Sequence, residues 1–318
     1  MSHLDDLNEK YPVRRTAQEK TAFRKYITHY IADKGMDVKT VETKNGENKN
    51  VIVGDPLTAD VIFTAHYDTP GMSLFPNIMI PRNKFLFFAY QFLPILTLLF
   101  FSIAATLIGG VITVLIKGYM EESLIFILFL VTYYLFFYLM FFAFKNPKNY
   151  NDNNSGVETL LEIIDRLTAQ QQRKIAFIFF DNEEKGKKGS KAYFNAHKNQ
   201  LEDKLLINFD CVGNGNHIVF ISKQAAKKMP AYQALQQNFL AVDNAAYQTE
   251  FYPMKGSEST SDYKNFPCGV GCMACKKTKR GLLYTAKIHT PQDIEVDNAN
   301  IQFLADGMKK WLSLGEEK

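Results

Sequence analysis

Apolar and polar positions alternate along this chain in three distinct rhythms. The first is helical. Thr16-Ala17-Gln18-Glu19 has the spacing of a capping box. After it, Phe23, Ile27, Tyr30 and Ile31 fall on one face, and Gly35 closes the helix. The segments Val157–Leu167, with Leu160, Leu161, Ile164 and Leu167 on one face, and Asn298–Leu314 repeat that rhythm.

The second rhythm is the short apolar run. Val51–Val53, Asp60–Ala65, Lys174–Phe180, Leu205–Asp210 and His217–Ile221 read as strands, and KIAFIFF is apolar enough to be buried on both faces. Strands alternating with helices predict an α/β fold: a mostly parallel mixed sheet sandwiched between helices. In such a sheet the ligand site lies at the carboxyl ends of the strands.

The third rhythm is the absence of charge. Phe85–Ile116 carries no charged residue, nor does Ser123–Phe144. Both exceed the ~18 apolar residues at which a membrane helix is expected. Pro94 divides the first run, so Ile95–Ile116 and Ser123–Phe144 are expected as spans of ~33 Å each, with residues 85–93 as an interfacial lead-in. A hairpin at 85–144 is then an insertion into one domain built from residues 1–84 and 145–318. Arg82, Lys84, Lys145 and Lys148 flank it, while its turn carries Lys117 against Glu121 and Glu122. The positive-inside rule therefore places both termini and the catalytic domain in the cytoplasm, in a two-span protein of the cell membrane. Residues 1–50 contain no early apolar stretch of the kind a signal peptide needs.

Composition adds little to this picture. The net charge is +4, from 37 basic and 33 acidic residues. Without a Lys/Arg block, that surplus argues against nucleic acid as a partner. Cys211, Cys268, Cys272 and Cys275 are too few and too bunched for a disulfide framework. The cluster of the last three has metal-binding residue types but no fourth ligand nearby, and CGVGCMAC reads as a buried strand. His29 and His217 read as solvated or structural. Nothing in the sequence fixes an oligomeric state.

Metal-ligating residue types recur at the predicted strand ends. His66 and Asp68 follow VIFTA, Asp152 stands in Asn-Asp-Asn-Asn-Ser-Gly, Glu183 and Glu184 follow KIAFIFF, Asp210 ends LLINFD, and His289 stands in Ile-His-Thr-Pro-Gln-Asp. One carboxylate after a strand is usually a cap; five recurrences on one sheet edge point to a metal centre.

The order HxD, NDNxSG, EExGxxGS, NxD, IHTPxD resembles the co-catalytic zinc aminopeptidases of metallopeptidase family 28, over about residues 16–80 and 148–315. That resemblance implies two zinc ions and a peptide substrate hydrolysed from its amino terminus. It implies Asp152 as the bridging carboxylate, His66 and Asp210 completing one site, and Glu184 and His289 the other. Glu183 would be the general base. Asp68 would accept a hydrogen bond from His66, and the Asp152–Asn153 peptide would be cis. Asp262, in SESTSD, would by the same resemblance stand beside the substrate cleft and bind substrate. The alternatives are a single-zinc glutaminyl cyclase, a non-catalytic membrane scaffold or receptor, and a channel; the last finds no charged residue in the spans to build a pathway.

Overall fold

The computed structural model describes residues 3–43, 46–73, 77–119, 121–141, 144–242 and 246–314. Its strands are β1 (Val38–Glu42), β2 (Lys49–Val53), β3 (Val61–His66), β4 (Asn77–Met79), β5 (Ile175–Phe180), β6 (Leu205–Phe209), β7 (His217–Ser222), β8 (Gln248–Pro253), β9 (Gly269–Lys277) and β10 (Leu283–Ile288). They form one sheet in the order β1-β2-β5-β3-β6-β9-β10-β4, with β7 on β9 and β8 on β7. The neighbours β5, β3, β6 and β9 are parallel. Antiparallel pairings flank them, β1 with β2 and β2 with β5 on one side, and β7 with β9 and β9 with β10 on the other.

The helices are α1 (His3–Glu9), α2 (Ala17–Asp33), α3 (Lys84–Lys117), α4 (Glu122–Phe141), α5 (Ser155–Arg166), α6 (Ala169–Gln172), α7 (Lys188–Ala196), α8 (Lys198–Leu201), α9 (Pro230–Leu240) and α10 (Asn298–Leu314). One face of the sheet packs on α2, α5, α9 and α10 through Phe23, Ile27, Leu160, Leu235, Met308 and Trp311. The other packs on Tyr193 of α7, Leu201 of α8, Phe266 and Phe87. Every residue of β3, β5, β6 and β7 is buried, as continuous apolar runs require when both faces are covered. The capping box at α2 is complete: Thr16 Oγ1 accepts from Glu19 N, and the Glu19 carboxylate accepts from Thr16 N.

β3, which precedes α3 and α4 in sequence, lies between β5 and β6, which follow them. The long helices therefore interrupt a single sheet. They pair antiparallel through Phe101 with Phe136, Thr106 with Thr132 and Gly109 with Leu128. Elsewhere their surfaces are apolar and open, as at Leu107, Ile108, Leu115 and Tyr134, each more than 60% exposed. A buried core helix is thereby excluded. Both helices are long and apolar enough to cross a membrane.

The division at Pro94 does not occur. α3 runs unbroken through Pro94 for 34 residues. The proline removes one backbone bond, but no capping residue stands beside it to stop the helix, and apolar residues continue on both sides. The second helix is described as far as Phe141; residues 142 and 143 of the expected span lie outside the described residues.

Candidate metal centre

The parallel strands deliver their carboxyl ends to one place. His66 is the last residue of β3, Asp210 follows β6, and Glu183 and Glu184 follow β5 by three and four residues. Asp152 arrives on the loop before α5, and His289 follows β10. Beside a grouping of His66 with Glu183 and Glu184, two triads result: His66, Asp152 and Asp210 in one, and Asp152, Glu184 and His289 in the other, with ligand atoms within 4.8 Å of each other in each grouping. Asp152 is common to both. Its Oδ1 lies 3.3 Å from His66 Nε2 and its Oδ2 lies 2.9 Å from His289 Nε2. Asp210 Oδ1 is 3.8 Å from His66 Nε2, and Glu184 Oε2 is 3.5 Å from His289 Nε2. Tetrahedral ligands at ~2.0–2.2 Å from zinc stand ~3.3–3.6 Å apart, so these separations suit a cation between the atoms.

The charge balance calls for that cation. Asp152, Glu183, Glu184 and Asp210 converge, and among the described residues no Lys or Arg side chain pairs with any of them. Burial, with Asp152 close by, pushes the Glu184 carboxyl up to about 8. Burial and the neighbouring Glu184 and Asp262 raise Glu183 well above the usual carboxylate range. Burial opposes charge on His289, but Glu184 and Asp152 overcome it and lift the imidazole to about 9. Asp152 is buried too, yet its contacts with His289 and His66 hold it below its ordinary value. Glu184 Oε1 is buried without a hydrogen-bond partner among the described residues. Imidazole nitrogens and carboxylate oxygens are the donors zinc takes, so the residues fit the ion.

Two outer carboxylates hold the main chain of the ligand loops. Asp68 accepts from Glu183 N at 2.9 Å and Glu184 N at 3.2 Å. This differs from the expected bond to His66: the Asp68 carboxylate stands 3.7 Å from His66 Nδ1, and the Asp68 carbonyl oxygen, at 3.0 Å, is its partner. Two amide donors at the turn after β5 take up the carboxylate instead. Asp293 does the same for the other loop, accepting from Asn151 N at 3.1 Å and Asp152 N at 3.0 Å. The Asp152–Asn153 peptide is cis. Asn153 Nδ2 donates to Phe209 O at 3.0 Å, and its Oδ1 accepts from Gly156 N at 3.1 Å and Cys211 N at 3.2 Å. A Cβ at Gly156 would meet Asn153 Oδ1 at 2.4 Å and Phe209 O at 2.5 Å, so only glycine fits. Asn182, Cys211 and His289 all take left-handed φ, of 55°, 56° and 59°. Non-glycine residues held there cluster at functional sites.

Asp293 stands within the IHTPxD motif, but a carboxylate that acts through main-chain amides has no spacing signature of its own. Lys20 and Arg14 also carry no motif. Lys20 Nζ donates to Asp181 Oδ1 at 2.5 Å and Asn182 Oδ1 at 2.6 Å, just ahead of Glu183. Arg14 is fully buried; its guanidinium donates to Tyr67 O, to Tyr11 O at 2.7 Å and to Asn154 Oδ1 at 2.5 Å.

Asp262 lies outside both triads. It is fully buried, accepts from Ser190 Oγ at 2.5 Å, and is pushed up to about 7 by burial. His29 is exposed beside Asp33, and His217 is buried against Glu250 at 2.8 Å. The four cysteines are free and buried. Cys272 belongs to the core on one face of the sheet and Cys275 to the core on the other, so they do not converge on a metal.

The profile of Peptidase family M28 matches residues 145–311, more than half of the chain. The chain belongs to peptidase family M28. Its matched region holds Asp152, Glu183, Glu184, Asp210 and His289, while His66 and Asp68 precede it. Among solved structures, the M28 fold of this chain is similar to the glutaminyl cyclase of Porphyromonas gingivalis, at 14% identity and a TM-score of 0.54, over 98% of this chain and 95% of that one. It is similar to the LapA aminopeptidase of Legionella pneumophila, at 13% identity and a TM-score of 0.54, over 97% and 69%. The glutaminyl cyclase of Fimbriiglobus ruber matches at 11% identity and a TM-score of 0.52, over 97% and 92%. No curated protein matches the chain significantly in sequence.

Proposed function

We propose that this M28 protein is a membrane-anchored, two-zinc aminopeptidase, held in the cell membrane by α3 and α4 with its catalytic domain and both termini in the cytoplasm. The observation that carries this reading is Asp152, whose two oxygens face two different histidines in two different triads. A bound zinc pair supplies Lewis-acid polarisation of the scissile carbonyl and acidifies the attacking water. The chain's residues do the rest. His66, Asp152, Asp210, Glu184 and His289 would hold the pair. Glu183 neighbours both His66 and Glu184, yet its carboxylate makes no hydrogen bond among the described residues. It takes a proton from the water and delivers it to the leaving amine. Asp68 positions Glu183 and Glu184 through their amides, and Asp293 positions Asp152.

The second reading is a glutaminyl cyclase. It is favoured by the overlay that spans 95% of the P. gingivalis cyclase, whose fold therefore needs no additional domain. The two triads joined at Asp152 and the Gly186-x-x-Gly189-Ser190 loop favour the aminopeptidase. Purified, zinc-loaded protein in detergent, given peptides with amino-terminal Leu, Ala, Lys or Gln, decides between them. Release of free amino-terminal residues is expected. Conversion of amino-terminal Gln to a cyclised product without cleavage overturns the aminopeptidase reading.

A further inference from the structure

Arg14 is fully buried, and among the described residues its guanidinium pairs with no carboxylate. Its Nε donates to Tyr67 O, its Nη1 to Tyr11 O at 2.7 Å and its Nη2 to Asn154 Oδ1 at 2.5 Å. A buried charge without an ionic partner costs stability, so packing does not account for an arginine here. Burial works against its charge, while Asp68 and Asp152 favour it, one from each of the two segments that it joins.

Those segments carry two of the three ligands of one triad. Tyr67 stands between His66 and Asp68, and Asn154 stands two residues after Asp152. The chain on either side of Arg14 straps the two together. Arg14 N donates to Thr69 Oγ1 at 2.9 Å, and Thr69 N to Arg14 O at 3.3 Å. Toward α1, Pro12 O accepts from Asn149 Nδ2 at 2.8 Å and Asn8 Oδ1 accepts from Asn154 Nδ2 at 2.7 Å. Residues 8–14 therefore tie residues 67–69 to residues 149–154, and the Arg14 side chain touches both. The triad of His66, Asp152 and Asp210 draws two ligands from the tied segments, whereas the triad of Asp152, Glu184 and His289 draws only Asp152. His289 is anchored elsewhere, by Ser73 N, which donates to its carbonyl oxygen at 2.7 Å. Glu184 meets the strap only through its amide on Asp68.

We propose that Arg14 is a positioning residue that fixes His66 against Asp152, and so sets the zinc affinity of the site these two share with Asp210. This rests on the two-zinc reading and adds the residue that governs one of its two sites. Zinc ligands must stand within ~0.2 Å of their ideal distance. His66 ends β3 and Asp152 sits on the loop before α5, so without a link each moves with its own element. The planar fork of arginine supplies that link, since its donors point in fixed directions at acceptors on both segments.

The test measures zinc affinity of the full chain in detergent by chelator competition. It compares the unaltered chain with Arg14→Gln, Arg14→Lys, Asn154→Ala and the double variant Arg14→Gln, Asn154→Ala. In Arg14→Gln one of the two dissociation constants should rise ~10–100-fold and the other far less. Asn154→Ala cuts the same link from its other end, should raise the same constant, and serves where Arg14→Gln does not fold. The double variant should lose less than the sum of the two, because both break one contact. Lysine keeps the charge but has no fork to span both segments, so Arg14→Lys should recover little of the affinity. In an Asp210→Asn background, which removes the site in question, Arg14→Gln should leave the remaining constant nearly unchanged. The proposal is overturned if both constants shift alike, if the two losses add, if Arg14→Lys binds zinc as the unaltered chain does, or if the Asp210→Asn background keeps the full effect. One zinc per unaltered chain overturns the two-zinc reading and the proposal with it. Two zinc ions with constants that Arg14→Gln leaves unchanged overturn the proposal alone.

Discussion

At the scale of single residues, the centre is organised by carboxylates doing two different jobs. Asp152 and Glu184 face the histidines, while Asp68 and Asp293 face main-chain amides. Glu183→Gln should leave metal content intact and reduce turnover by ~10²–10⁴, the range general-base catalysis supplies. Steady-state kinetics beside metal analysis checks both halves. Asp293→Asn keeps the shape but sets an amide NH₂ against one of the two N–H donors. Its expected effect is ~10–100-fold weaker metal binding, measured by chelator competition, as for other residues that orient ligands. A third residue lies outside the centre. Glu158 is fully buried, neither carboxylate oxygen has a hydrogen-bond partner among the described residues, and burial raises it from 4.5 to about 7. The fold prefers this group protonated. Its ionisation costs nothing below pH ~4.5, costs progressively more up to pH ~7, and then levels off, at up to ~3 kcal/mol. Glu158→Gln should therefore raise the melting temperature at pH 8 and leave it unchanged at pH 4.5. An equal shift at both would refute this. Of the residues that the fold brings together, His66, Glu184 and Asp210 were legible because they stand just after apolar runs, while Asp152 and His289 stood out through their local motifs. Arg14 and Lys20 were not, because hydrogen bonds to main chain or to distant side chains leave no periodicity or spacing in the sequence, and Asp293 appeared only as the last residue of IHTPxD, with no role attached.

At the scale of elements, the start of α2 and the residues just before it connect parts that are far apart in sequence. Arg15 donates to Phe144 O at 2.8 Å and Glu19 pairs with Lys145 at 2.6 Å, where the chain returns from α4. Lys20, one residue on, holds Asp181 and Asn182 in front of Glu183. Lys20→Met leaves the buried Asp181 carboxylate without its cation, a loss of ~3–5 kcal/mol for a buried pair. Thermal unfolding should record that loss, and kcat should fall because the turn carrying Glu183 loosens. Lys20→Arg should recover part of both. The capping box was readable to the residue, and periodicity marked the last helix, described over Asn298–Leu314. Pro94 misled. Proline predicts a helix end where polar, capping residues surround it, and the apolar neighbours of Pro94 offer the chain no alternative to continuing the helix.

At the scale of the molecule, the proposed membrane hairpin interrupts a sheet whose middle strands come from both sides of the interruption. The parallel core and the edge that carries the site were legible from alternating runs. Of the antiparallel flanks, Val51–Val53 and His217–Ile221 were read as strands without their direction, whereas short strands such as Asn77–Met79 have no periodic signal. A cytoplasmic catalytic domain puts the α3–α4 turn outside the cell. Gly118→Cys should then react with an impermeant thiol reagent on intact cells, and protection of this position until lysis would reverse the topology. The proposed mechanism depends on Asp152 joining two zinc sites. Mass-spectrometric metal counting on zinc-equilibrated protein, with Asp152→Asn beside the unaltered chain, tests it most directly. About two zinc ions per chain are expected in the unaltered protein and close to none in the variant. One zinc per chain in the unaltered protein, or one fully retained in the variant, would contradict it.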